Sequence, residues 1–257
     1  MKSIPKIMIK YLVLTFFTTT QFFAISNYKK GDVLYNWKNT IVNIRQNPDI
    51  KSEIITTIFC GDRCIVVDES LKTYKFSVQE IAPVIKYDSL NEAQNFRGFT
   101  IKGYWVKVKN KSGEIGYIFD GYLSKINPNF ELTETYFDLN FQRIRSINKK
   151  YPNSISDNAY SRERFYKNGS YIIENGSDYD GHSHFFIPNC SLEEGYFLVL
   201  KSRSDLLELY KSSGDDATNY NSTGNELSFT TSLEAITIKK ITFKGKKGIE
   251  IIFEGWD

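Results

Sequence analysis

The groups in this 257-residue chain best suited to chemistry are three thiols, two imidazoles and two adjacent carboxylate pairs. His182 and His184 lie in the run Asp178-Tyr179-Asp180-Gly181-His182-Ser183-His184. On an extended backbone both imidazoles face one side, where Asp178 or Asp180 could join them around Zn²⁺ or Ca²⁺. Two-residue spacing is common by chance, so the run reads as a polar loop feeding a strand, and no metal or other cofactor is expected. Cys190 precedes Ser191-Leu192-Glu193-Glu194, a capping-box pattern whose helix dipole would favour a thiolate. A thiol nucleophile also needs a base and an orienting third group, and no such set is evident. Glu193-Glu194 and Asp215-Asp216 are adjacent in sequence, whereas glycoside cleavage needs two carboxyls facing across a cleft. No residue is therefore assigned a catalytic role, and the chain is not read as an enzyme. The competing expectation is a cell-wall hydrolase with a cysteine or metal centre in the C-terminal half.

The elements that must hold these groups read as follows. Thr133–Lys150 carries Phe137, Phe141, Ile144 and Ile147 at near-helical spacing, which predicts an amphipathic helix capped by Thr133 and ended by Lys149-Lys150. Arg164–Lys167 and Ser170–Glu174 flank Asn168-Gly169, a hairpin signal. His184–Ile187 reads as a strand stopped by Pro188, and Tyr196–Leu200 fits a strand or a buried helix equally. Ala235–Phe243 and Gly248–Glu254 form a hairpin around the basic turn Lys244–Lys247. Residues 130–257 are expected to make an α+β domain, divided from what precedes by Asn127-Pro128-Asn129.

The N-terminal half alternates like strands at Thr40–Arg45, Glu53–Phe59 and Cys64–Asp68, with turn formers between them. Tyr104–Lys109 and Glu114–Phe119 flank the polar turn Asn110–Gly113 and read as a second hairpin. Cys60 and Cys64 bracket a turn, and a disulfide between them is preferred; either could instead pair with Cys190. Residues 1–26 read as a signal peptide, with Lys2, Lys6 and Lys10 ahead of an apolar stretch and cleavage near Ala24 or Ser26. That stretch falls short of a bilayer span, so the membrane enters only through an uncleaved leader. Thirty-three cations against 30 anions give a net charge of +3, and the leader holds three of those cations and no anion. The remainder is neutral, which argues against nucleic acid as a partner.

Val42, Asn43, Ile44, Arg45 and Pro48, then Ile54, Ile58, Gly61 and Val66, resemble the first half of a bacterial SH3 domain. Trp105, Val106, Val108, Gly113, Gly116, Tyr117, Ile118, Tyr122 and Leu123 resemble its second half. The likeness covers residues 27–126, with a departure at 68–103, where compact members cross in a few residues and this chain spends about 35. It implies a small β-barrel with a long insertion, so the expected fold class is mainly β: an SH3-like barrel followed by an α+β domain. Thiol peptidases often accompany such domains, but they place the cysteine before the histidine, the reverse of the order here. The function expected is that of an exported, periplasmic or extracellular, non-catalytic binding protein of the cell envelope. Its partner would be a peptide, peptidoglycan or another protein. Stiff aromatic rings offer contact area at small entropic cost, which nominates Tyr74, Phe76, Tyr87, Phe96, Phe99, Tyr104 and Tyr122 as binding residues. Trp105 and Tyr117 read as core.

Overall fold

The computed structural model describes residues 28–70, 75–87, 93–96, 98–151, 158–177, 180–203, 219–231 and 233–256, with backbone alone at 84–87, 93–96, 219–222 and 256. The leader and Tyr74 lie outside the described residues.

Strands come first: β1 (Val33–Asn36), β2 (Val42–Arg45), β3 (Ile54–Ile58), β4 (Arg63–Asp68), β5 (Lys75–Ile81), β6 (Val84–Tyr87), β7 (Ala93–Phe96), β8 (Phe99–Asn110), β9 (Ile115–Phe119) and β10 (Leu123–Ser124). The polar turn expected between β8 and β9 is present. Gly113 sits at φ 91°, and the Asn110 carboxamide oxygen accepts from the backbone N–H of Ser112 and Glu114. The sheet runs β10-β1-β4-β8-β9-β2-β3, and β2 meets β9 at Arg45 opposite Tyr117. Val42, Ile44, Ile58, Val66, Val106, Val108 and Ile118 fill its inner side.

Among the described residues β3 and β10 do not pair, so this sheet is not a closed barrel. β8 has twelve residues and extends about 40 Å. Its second part pairs with β4 and β9, while its first part, from Phe99 to Tyr104, pairs with β5. The segment expected to interrupt a barrel therefore lengthens the sheet. Pro83 separates β5 from β6, as a residue lacking an N–H should.

The second half holds α1 (Glu134–Asn140), β11 (Arg143–Lys150), β12 (Tyr160–Tyr166), β13 (Tyr171–Gly176), β14 (Asp180–Pro188), α2 (Leu192–Ser202), β15 (Asn219–Ser222), β16 (Glu226–Thr230), β17 (Glu234–Phe243) and β18 (Lys246–Trp256). Thr133 caps α1 by accepting from the Tyr136 N–H, but the helix stops after seven residues. The long helix expected over Thr133–Lys150 is thus half strand. Arg143–Lys150 pairs antiparallel with β12, and backbone pairing outweighs a loose helical period. Both expected hairpins form. Gly169 takes φ 98° in one turn, and Lys244 and Gly245 take 46° and 77° in the other. Tyr196–Leu200 is helical, introduced by a complete capping box between Ser191 and Glu194.

All eight strands of this half make one antiparallel sheet, ordered β11-β12-β13-β14-β18-β17-β16-β15. α2 lies on one face of it. A Cβ on Gly195 would come within 2.5 Å of Ile249 and 2.7 Å of Ile238, so the glycine permits that approach. The other side of α2 faces the first sheet, where Phe99 packs on Tyr196 at 4.9 Å and Tyr122 on Phe197 at 6.2 Å. A single buried cluster therefore runs from Leu34 through α2 to Ile251. The mainly β expectation holds: the described residues form two large antiparallel sheets, a separate β6–β7 pair and two α-helices.

Candidate functional site

Of the seven aromatic residues nominated from sequence, Tyr74 lies outside the described residues, as do the side chains of Tyr87 and Phe96. Phe76 is half-buried against Trp105 and Phe119, with ring centroids 5.6 and 5.3 Å away. Phe99 is core. Tyr104 is half-buried and its N–H donates to Asp120, whose other oxygen accepts from the Tyr28 hydroxyl at 2.7 Å. Tyr122 is buried under the Lys38 ammonium, 4.0 Å from its ring centroid, and its hydroxyl donates to Glu80 at 2.8 Å. Burial, and then the Glu80 carboxylate, push that phenol up. The rings of Phe76, Phe99 and Tyr122 pack against other rings of the molecule, while Tyr104 is tied in through its backbone.

The outer face of the first sheet carries a different surface. Val33 lies opposite Ile65, Ile65 opposite Lys109, and Lys109 opposite Ile115. All four are exposed, with Ile65 at 44% and Ile115 at 47%. Three strand spacings make this row about 14 Å long. At the next edge, Ile41 and Phe59, at 55% and 59% exposed, lie one step beyond the Val42–Ile58 pair. Sequence reasoning missed these residues because register, absent from any local pattern, brings them into line. The signal available was weak: Cys64-Ile65-Val66-Val67 is apolar on both faces of β4.

The second sheet carries a polar cluster centred on Glu250. Tyr171 on β13, His184 on β14 and Lys239 on β17 converge on Glu250 of β18. The Tyr171 hydroxyl donates to Glu250 at 2.5 Å, the Lys239 ammonium lies 3.0 Å from the other oxygen, and His184 Nδ1 is 3.1 Å away. Cross-strand register explains the convergence: Phe186 stands between Tyr171 and Glu250, and Glu250 between Phe186 and Lys239. Burial opposes the Glu250 charge, yet hydrogen bonds from His184, Tyr171 and Lys239 hold its carboxyl down at about 2. Beside it, Tyr171, Phe186 and Phe243 pack ring to ring, and Phe243 stacks on Phe165. Phe165 belongs to β12, four strands from β17, so the sheet must roll. Its two hairpin tips meet where Lys246 donates to the Asn168 carbonyl at 2.7 Å. Both oxygens of Glu250 thus meet polar groups of the sheet itself, an arrangement suited to fixing the roll.

His182 lies 3.7 Å from both Asp180 and Glu254 at the surface of the same strand. Asp178 is outside the described residues, and among those described no group of three histidines, cysteines or carboxylates is placed to hold a metal. All three thiols are free. Cys60 is exposed in the turn while Cys64 points inward from β4, its thiol pushed up to about 12 by burial. Alternation along β4 sends Arg63 and Ile65 outward and Cys64 inward, away from Cys60. Cys190 is buried, and burial followed by the Glu194 charge pushes its thiol well up. The helix terminus expected to yield a thiolate has that charge set against it.

Glu194 also accepts from the Ser124 hydroxyl at 2.5 Å, joining α2 to the first sheet, and Glu193 is buried with Oε2 meeting no hydrogen-bond donor. Desolvation raises both carboxyls. Among the described residues no helix is long and apolar enough to cross a membrane. No protein family matches this chain, and neither the curated proteins nor the solved structures compared with it provide a match.

Proposed function

We propose that this chain is an exported interaction protein of the bacterial cell envelope whose SH3-like first sheet holds a peptide or protein partner and performs no catalysis. The observation that carries the reading is the row Val33–Ile65–Lys109–Ile115, an exposed aliphatic strip with one cation, built on four paired strands. Rigid strands hold such a strip in fixed spacing, which suits a partner that buries side chains against it. Glycan recognition would favour exposed ring faces, and Phe99 and Tyr122 turn theirs inward. A peptide is therefore the better-supported ligand than the sugar strands of peptidoglycan. Export rests on the charged and apolar leader at residues 1–26.

The test is a photo-crosslinker at position 63, next to the row, in the chain produced by its own host. Crosslinks to an envelope protein should disappear in the Ile65→Glu/Ile115→Glu variant while the melting temperature stays put, since both side chains are exposed. Crosslinks that survive the double substitution, or retention of both forms on purified cell wall, would assign the binding elsewhere.

A further inference from the structure

The outermost strand of the second sheet, β11, pairs only with β12 among the described residues, so its other side presents an unpaired backbone ladder. Seven of its eight residues are exposed, and its charges are all positive: Arg143, Arg145, Lys149 and Lys150. Arg143 is neutralised by Glu134 and Asp138. The other three have no carboxylate partner among the described residues. A bulge sits between Arg143 and Arg145, after which pairing is regular through Lys150. From there Arg145, Ile147 and Lys149 share one face, opposite Phe165, Glu163 and Ser161 of β12. Glu163 forms no ion pair with either cation among the described residues, and Arg145 is 5.8 Å from the Phe165 ring.

We propose that β11 captures an acidic polypeptide segment as an added antiparallel strand, with acidic side chains opposite Arg145 and Lys149 and an aliphatic one opposite Ile147. An open ladder of N–H and C=O groups is complementary to another extended backbone, which nucleic acids and glycans lack. The charges then select which polypeptide: cations four residues apart, either side of Ile147, attract acids two residues either side of an apolar residue. They also repel a second copy of β11, which keeps the edge available. This is independent of the reading of the first sheet, because no residue of the Val33–Ile115 row takes part.

A fluorescent peptide, Thr-Glu-Thr-Val-Thr-Glu-Thr, titrated against the full chain tests it. Binding is expected, weakened at least about tenfold in Arg145→Glu/Lys149→Glu and recovered when both peptide glutamates become lysine. Circular dichroism of the variant should be unchanged, as both side chains are exposed. Methylating alternate peptide amide nitrogens should abolish binding, since those N–H groups feed the ladder. Absence of binding overturns the proposal, as does an N-methylated peptide that binds as well as the parent. Single-stranded DNA binding as tightly as the peptide would make the strand a general polyanion surface and overturn it equally. Ile65→Glu/Ile115→Glu should leave the titration untouched even if the first sheet proves to bind nothing.

Discussion

Glu250 on the second sheet and the Glu193–Glu194 pair at the start of α2 are all buried carboxylates, yet their environments push them in opposite directions. Glu250 receives a phenol, an imidazole and an ammonium, and stays charged. Glu194 receives two hydroxyls and a backbone N–H, Glu193 has an oxygen with no donor, and both are raised. The difference teaches that two things set a carboxylate's charge: deep desolvation raises Glu193 and Glu194 in spite of their hydrogen bonds, whereas the phenol, imidazole and ammonium outweigh a shallower desolvation at Glu250. It also separates the two places by role. Glu250 fastens a sheet to itself, whereas Glu194 fastens α2 to the first sheet through Ser124.

The largest effect that could break this contrast is Glu250→Ala, which strands the buried Tyr171 hydroxyl and unpairs Lys239 and should cost about 2–3 kcal/mol in urea unfolding. A cost under about 1 kcal/mol would mean the cluster is no more than a surface ion pair. Glu193→Gln should go the other way and stabilise by about 1–2 kcal/mol at neutral pH, because it removes a charge that burial disfavours and one of whose oxygens meets no donor. Glu194→Ala should destabilise by about 1 kcal/mol, losing half the capping box and the Ser124 link.

The pH profile sharpens the same contrast. Glu250, lowered from 4.5 to about 2, contributes stability that is present above 4.5 and lost as pH falls toward 2. Glu193 and Glu194 are raised, so their contribution is fully present below 4.5 and lost as pH rises through their folded values. Glu250→Gln should flatten the acid limb of a stability–pH curve, and Glu193→Gln part of the opposite one. Smallest of all, Tyr171→Phe should cost about 1 kcal/mol and move the Glu250 carboxyl upward from about 2, readable by NMR titration.

Features with local causes were legible in the sequence. The β8–β9 turn announces itself through Asn110 and Gly113, the capping box through Ser191 and Glu194, and the β17–β18 turn through Lys244–Lys247. What pairing decides was not legible. Arg143–Lys150 has enough helical period to mislead, and only β12 makes it a strand. The segment before Gly103 read as an interruption, although Phe99–Tyr104 is the first part of a strand shared by three neighbours. Glu250 draws partners from positions 171, 184 and 239, far apart in sequence and aligned by register alone. Two of the aromatic residues nominated for an open surface, Phe99 and Tyr122, went inward because two sheets and a helix between them need that bulk; both reach α2.

The pairing of β14 with β18 has a consequence for biosynthesis. These neighbours meet along nine residue pairs, but α2 and three strands are translated between them. A nascent chain that has completed β14 therefore holds Phe185, Phe186 and Ile187 on a strand with one side open, and waits for the ribosome to deliver the zipper's other half. Chains cut short ahead of Lys246 would keep that seam unsealed, making them substrates for chaperones or for aggregation.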